Sequence, residues 1–427
     1  MKILMLHPHD VYSHPWMIRP IKIAEELLHR GHTVTLAFIP DEDRRKKFGI
    51  IHKNIPEKLT LVPLEWKRRL ILKNANTVEE IAKEADLIHF QKCTSEIAFP
   101  AIFSAYRLNK PLHYDWDDWE TAIAKEMHVR GLELFNVVWY EERLPKIVDT
   151  LSVSSQTLRD KALQLGMPEN RIFSAPVGAD LEFFSPQVKG DRVKSKLNLN
   201  GNVVIYSGQL DGANYLDLLI QAVPQVNQSV PNTTFVVVGG GKTLPQHQQL
   251  AKKVGATDII FTGYLPHEEI PEYLAAADVA VACFEDTPVT RCKSPLKIAE
   301  YLASGKAIVA SRVGEVIPMV DGCGVLVEPG NWQELAQQII HLLSHPDLRK
   351  ELSALARQRA EQKYNWKNTV DEIEKAYRLA ISTPRIDRNT RRSYLLRFSL
   401  VSLLVYGTRF VKRNLGLMHA EDDLIVK

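Results

Sequence analysis

Cysteine is scarce in this chain: four in 427 residues, Cys93, Cys283, Cys292 and Cys323. None forms a CxxC pair or neighbours a histidine cluster, which excludes a disulfide framework and argues against a structural zinc site. A reducing, cytoplasmic compartment is expected. Long apolar runs are also missing. No stretch approaches the roughly 20 apolar residues that span a bilayer. The opening MKILMLHPHD carries a short apolar run that reads as a first strand, not a signal-peptide core. Charge of one sign is missing too: 54 Lys and Arg against 51 Asp and Glu leave a net of +3, which speaks against nucleic acid as a partner. There is no GxGxxG, GxSxG or HExxH, the loops of dinucleotide binding, serine hydrolysis and zinc proteolysis.

What is present is an ordinary globular composition, 45% hydrophobic and 25% charged, with length for two or three domains. The pattern alternates strand and helix. Ile3–Leu6 reads as a buried strand, Ile18–Arg30 as a helix ended by Gly31, and Thr33–Ile39 as the next strand, a right-handed βαβ unit. Strands at Asp86–Phe90, Leu112–Tyr114 and Thr150–Val153 alternate with helices at Glu96–Leu108 and Ser155–Leu165. Residues 186–200 are polar and weakly patterned, as in a linker. A second array follows, with strands at Val203–Ser207, Thr234–Val238, Ile259–Thr262, Val279–Cys283, Ala307–Ala310 and Gly324–Val327. Its helices fall at Tyr215–Val223, Leu244–Val254, Ile270–Ala276, Pro295–Ala303, Trp332–Leu343 and Pro346–Ile381. The expectation is two doubly wound α/β domains facing across a cleft, 1–185 and 201–381, joined by 186–200, with a tail at 382–427 and a last helix that can cross back.

The most informative stretch is SPLKIAEYLASGKAIVAS, residues 294–311. Pro295 suits a helix start, and Lys293 and Lys297 flank it, where backbone N–H groups already favour an anion. Glu300 sits among apolar neighbours, a carboxylate able to accept two hydroxyl bonds. Gly239-Gly240-Gly241 follows the strand TTFVVV, and glycine there permits close backbone approach.

These blocks, with GYLPHEEIPEYLAAADVAVACF, GCGVLVEPGNWQELAQQI and LSVSSQTLRDKALQLGMPENRIFSAPVGADLEFFSP, resemble glycosyltransferase family 4, over about residues 1–380. The resemblance implies a GT-B fold and retaining transfer of a sugar from a nucleotide-sugar donor, with the N-terminal domain taking the acceptor. It implies no metal and no cofactor. Front-side attack is the family's usual account, so the protein supplies positioning and charge stabilisation. Glu300 corresponds to the family residue that holds the donor ribose. The donor side would be lined by Gly208, Gln209, Asn214, Gly240, Tyr264, Leu265, Lys293, Ser294, Pro295 and Leu296, with Lys297 and Glu300.

Two departures stand out. Cys292 occupies the place of the family's sugar-gripping Glu, leaving Glu285 or Asp286 as nearby carboxylates. Gln209 and Asn214 replace the Arg and Lys that meet the pyrophosphate, so Lys293 and Lys297 are expected to take that part. In KPLHYDWDDWE, Asp115, Asp117 and Asp118 cluster after a strand, and Asp117 stands where many members have His. On the acceptor side we place His14, Trp16, His89 and Asp118, although for His89 a core histidine is the simpler reading. The departures leave two alternatives, a non-catalytic sugar- or nucleotide-binding relative and another nucleotide-sugar enzyme on this fold.

The charge is uneven. Residues 384–413 hold eight basic residues (Arg385, Arg388, Arg391, Arg392, Arg397, Arg409, Lys412 and Arg413) against Asp387, leaving the rest of the chain at −4. Basic flanks around FSLVSLLVYGT suggest an interfacial helix on an anionic membrane surface, and with the runs 44–47 and 67–69 a glycan or lipid-linked acceptor. The bland reading is that the tail packs back on the first domain.

Overall fold

A computed structural model describes residues 1–65, 70–210 and 215–398. Contacts divide the chain into two units, 1–175 with 370–427 and 176–369. The first holds β1 (Lys2–His7), β2 (Thr33–Phe38), β3 (Thr60–Pro63), β4 (Leu87–Gln91), β5 (Leu112–Trp116), β6 (Thr150–Val153) and β7 (Ile172–Ser174). They form one parallel sheet in the order β3-β2-β1-β4-β5-β6-β7. The second holds β8 (Asn202–Ser207), β9 (Thr233–Val238), β10 (Ile259–Gly263), β11 (Val279–Ala282), β12 (Ala307–Ser311) and β13 (Val325–Val327). They form a parallel sheet in the order β10-β9-β8-β11-β12-β13.

Central strands are covered by helices on both faces, which is why they read as unbroken apolar runs. In the second unit, one core gathers Val203, Ile205, Ile298 and Leu302, and the other Val204, Leu219, Val237 and Ile339, on opposite faces of the sheet. Each sheet reverses its strand order once, between β1 and β4 and between β8 and β11. Loops at the C-terminal ends of those strands are where α/β sheets bind ligands.

The boundaries differ from the sequence expectation in instructive places. Residues 176–185 belong to the second unit, because Val177, Ala179 and Phe184 are buried in its core. The expected linker contains a helix, Asp191–Lys196, whose Val193 is buried in the same core. The long last helix is two, Pro346–Gln362 and Trp366–Ser382. Asn365 makes the break: its amide N–H groups donate to the carbonyls of Ala360 and Glu361, and its Oδ1 accepts from Asn368 N–H at 2.9 Å. One side chain closes the first helix and caps the second. The second then contributes Val370, Ile373, Tyr377 and Ala380 to the N-terminal core, so the helix passes from one unit's residues to the other's.

The start of the basic tail is not a free surface helix. Residues 388–398 are helical and pack on the N-terminal unit. Arg391, 1% exposed, pairs with Asp149 at 2.5 Å and donates to the carbonyls of Ile147 and Lys110. Phe398 stacks on Tyr140 with ring centroids 4.3 Å apart. A guanidinium with an internal counter-ion is held in the protein interior. Arg392, Leu396 and Arg397 remain exposed. Arg409, Lys412, Arg413, residues 399–408 and residues 67–69 lie outside the described residues. No described helix is long and apolar enough to cross a membrane.

Candidate functional site

In the C-terminal unit, three loops converge through glycines. After β8 comes Gly208, at φ +139°, a backbone state that favours glycine. A Cβ on Gly208 would lie 2.8 Å from Lys297 Nζ. After β9, a Cβ on Gly239 would lie 1.9 Å from the Gly208 carbonyl oxygen, and one on Gly240 would lie 2.7 Å from the Tyr264 ring, beyond β10. The helix Leu296–Ala303 meets the same corner. Tyr301 locks it to the end of β8, its hydroxyl accepting from Ser207 N–H at 2.8 Å.

Lys297 therefore reaches back onto the loop after β8. Its Nζ sits 3.9 Å from the Tyr206 ring centroid and 5.9 Å from that of Phe284. Burial pulls its ammonium down to about 7, and the positive charge of Lys293 pushes the same way, while Cys283 and Glu300 oppose. The corner thus holds an ammonium that lacks bulk solvation and that an anion would stabilise. Glu300 is 6% exposed, and its Oε1 lies 3.0 Å from His267 Nε2. Tyr264 is 59% exposed, with its ring against Gly240.

The structure thus gathers Gly208, Gly240, Tyr264, Lys297 and Glu300 near the C-terminal ends of β8, β9 and β10. Gln209 is half-buried beside them, and Lys293 ends the short helix Pro288–Cys292. Other expected residues serve the framework. Ser294 Oγ accepts from Val177 N–H at 3.2 Å, Pro295 is buried, and Leu265 and Leu296 pack on the core. Asn214 lies outside the described residues. Cys292 is fully buried, its thiol donating to the Val289 carbonyl at 3.1 Å, so it fills interior space. Of the neighbouring carboxylates, Asp286 is engaged by Arg291 at 2.5 and 2.8 Å.

In the N-terminal unit, the loop after β1 is folded by Asp10, which accepts from Ser13, from Tyr12 N–H and, through two bonds of 2.5 and 2.7 Å, from Arg45. This packs His9 flat on His14, centroids 3.9 Å apart, with Trp16 at 4.5 Å from His14 and 46% exposed. Burial holds His7 and His9 well below the usual histidine range and His14 at about 3, so all three are neutral near pH 7.

Lys92, just past β4, is the residue that sequence reasoning missed. It is 3% exposed, adopts φ +73°, and its Nζ meets Asp117, Asp118 and Glu120 at 3.0, 2.7 and 2.9 Å. Burial lowers its proton affinity, but the three carboxylates outweigh burial and hold it charged. For Asp117, burial dominates: opposed by Lys92 and reinforced by Asp118, it lifts the carboxyl to about 7. Lys92 also lies 5.7 Å from the Trp16 ring. Beside these, Gln91 is 1% exposed and both its amide atoms lack a protein partner, as does His7 Nε2.

Two expected members fall elsewhere. Asp115 is separated from Asp117 and Asp118: it lies in the interior, paired with Arg19 at 2.7 and 2.8 Å, whose charge outweighs burial and holds it far below the usual range. His89 is also interior, 1% exposed, with Nδ1 2.6 Å from the Tyr377 hydroxyl. That is a packing position, not an acceptor-facing one.

This architecture is the GT-B fold, two Rossmann-like domains in one chain. Anabaena HepE solved with UDP-glucose superposes with a TM-score of 0.69 over 88% of this chain and 98% of that one, at 20% identity. WaaG, a glycosyltransferase of lipopolysaccharide biosynthesis, gives 0.67 over 89% and 100%, at 16% identity. Residues 188–359 match the family model described as glycosyl transferases group 1. Among curated proteins, the chain is 26% identical over 232 residues to a GDP-mannose-dependent phosphatidylinositol monomannoside mannosyltransferase of Mycolicibacterium smegmatis, covering 53% of this chain and 61% of that protein. It is 31% identical over 236 residues to a D-inositol 3-phosphate glycosyltransferase of Acidothermus cellulolyticus, covering 52% and 50%. The chain thus spans about three fifths or less of these relatives.

Proposed function

We propose that the protein is a glycosyltransferase of family 4 type, moving a sugar from a nucleotide-sugar donor to a glycan, lipid-linked or small acceptor with retention of configuration. The observation that carries this reading is the position of Lys297. A partly desolvated ammonium lies against Gly208, in the loop where the resemblance expects basic residues and the chain has Gln209 and Asn214. The chief electrostatic demand of the reaction is charge on the departing diphosphate, and a preorganised cation at that corner meets it. Lys293 adds a second positive charge. Glu300 holds the ribose hydroxyls, and the Tyr264 ring, exposed against Gly240, lies along the base.

In the N-terminal unit, Asp117 and Asp118, fixed by Lys92, bind acceptor or donor-sugar hydroxyls beside Trp16 and His14. Asp117, poised near neutrality, can exchange a proton with a hydroxyl. No metal and no cofactor enter the reading. We further propose peripheral attachment to the inner face of an anionic membrane, through exposed Arg392, Leu396 and Arg397 and the basic residues beyond.

One specific observation supports the rival reading of a non-catalytic relative: Cys292 is buried where the resemblance expects a sugar-gripping carboxylate. A thermal-shift panel of UDP-, GDP- and ADP-sugars tests the leading reading. Stabilisation by one nucleotide series, lost in Lys297→Met, is expected. Stabilisation by none would refute it.

A further inference from the structure

Glu300 does not stand alone. It is 6% exposed, and one of its oxygens is already engaged, Oε1 lying 3.0 Å from His267 Nε2. His267 comes from the turn after β10 and is itself packed against a pair of aromatic side chains. Its ring centroid lies 5.5 Å from those of both Phe183 and Phe184, at interplanar angles of 31° and 65°. Phe184 is buried in the core of the same unit. The chain of support runs from a buried phenylalanine through an imidazole to a carboxylate.

We propose that His267 is the positioning residue for Glu300: it fixes the carboxylate so that Oε2 faces the ribose hydroxyls of a bound nucleotide. This rests on the proposed function and deepens it by naming what prepares the ribose contact. A carboxylate on a flexible side chain gains little from two hydroxyls if it must first be immobilised. Fixing it beforehand moves that ordering cost into folding, and an Nε2–H bond to one oxygen sets the plane of the other. Chemistry also selects the substitutions. Phenylalanine keeps the ring packing on Phe183 and Phe184 without the N–H, and glutamine places an amide N–H near the position of Nε2.

The experiment is calorimetric titration of wild type, His267→Phe and His267→Gln with UDP, GDP and ADP, and with their 2′,3′-dideoxy counterparts. Wild type is expected to prefer the ribonucleotide of one base over its dideoxy form. His267→Phe is expected to weaken that ribonucleotide by about tenfold, the scale of one charge-assisted hydrogen bond, and to leave the dideoxy form unchanged. His267→Gln should restore most of the loss. A His267→Phe protein that binds the ribonucleotide as wild type does, or that loses both forms equally, overturns the positioning role while leaving the donor reading intact. Wild type that binds no nucleotide, or does not discriminate the two forms, overturns the ribose assignment and this proposal with it.

Discussion

If Lys297 meets the diphosphate, donor binding must depend on pH in a particular direction. Its ordinary value is 10.5, and burial brings it to about 7. Each tenfold change in proton affinity is about 1.4 kcal/mol, so charging this amine in the empty protein costs on the order of 5 kcal/mol relative to water. The sign follows. A lysine with a lowered value is charged below about pH 7 and neutral above it, and the diphosphate binds the charged form. Affinity should therefore be greatest at and below pH 7 and fall about tenfold per unit above it, to about a hundredfold by pH 9. Isothermal titration of the nucleoside diphosphate from pH 6 to 9 reads this, and buffers of different ionisation heat report the proton taken up. Lys297→Arg stays charged throughout and should flatten the profile. A wild-type profile that is flat, or one that Lys297→Arg shares, would refute the reasoning.

Other consequences are simpler. Gly208→Ala puts a Cβ 2.8 Å from Lys297 Nζ at φ +139° and should weaken nucleotide binding by about tenfold or more, measured by the same titration. Asp149→Ala leaves Arg391 buried without its counter-ion and should destabilise the N-terminal unit by about 3–5 kcal/mol in urea unfolding, with nucleotide affinity unchanged. EDTA should leave transfer unaffected; a loss restored by a divalent cation would contradict the metal-free reading. Deleting residues 384–427 should abolish co-sedimentation with anionic vesicles if the tail carries attachment, and unchanged co-sedimentation would remove the membrane proposal.

The central strands were legible because burial on both faces leaves apolar runs such as Ile3–Leu6 and Val203–Ser207. The elements that escaped notice carry weaker signals. Strand β3 is a half-exposed edge of four residues, β7 is three residues long, and the helix Gly131–Glu141 has no capping side chain at its start. Lys297 and Glu300 were visible from SPLKIAEYLASGK because they share one helix, whereas Gly208, Gly240 and Tyr264 reach the same corner from separate loops. Lys92 was not, since its partners lie 25 to 28 positions later and only the β4–β5 pairing brings them together. His267 and Glu300 are likewise 33 apart. Three histidines within eight residues, at 7, 9 and 14, were a signal for the packed loop after β1. Within the tail, the place of Arg391 was not legible, because composition shows only that it is charged and the fold alone brings Asp149 to it.

The most direct test of the central claim is proton NMR of donor turnover with a panel of nucleotide sugars and simple glycoside acceptors. The account predicts that one donor is consumed, its nucleoside diphosphate is released, the product keeps the donor's anomeric configuration, and Lys297→Met slows the reaction by about a hundredfold or more. A protein that binds a nucleotide sugar and leaves every donor intact would contradict it and make the chain a binding relative.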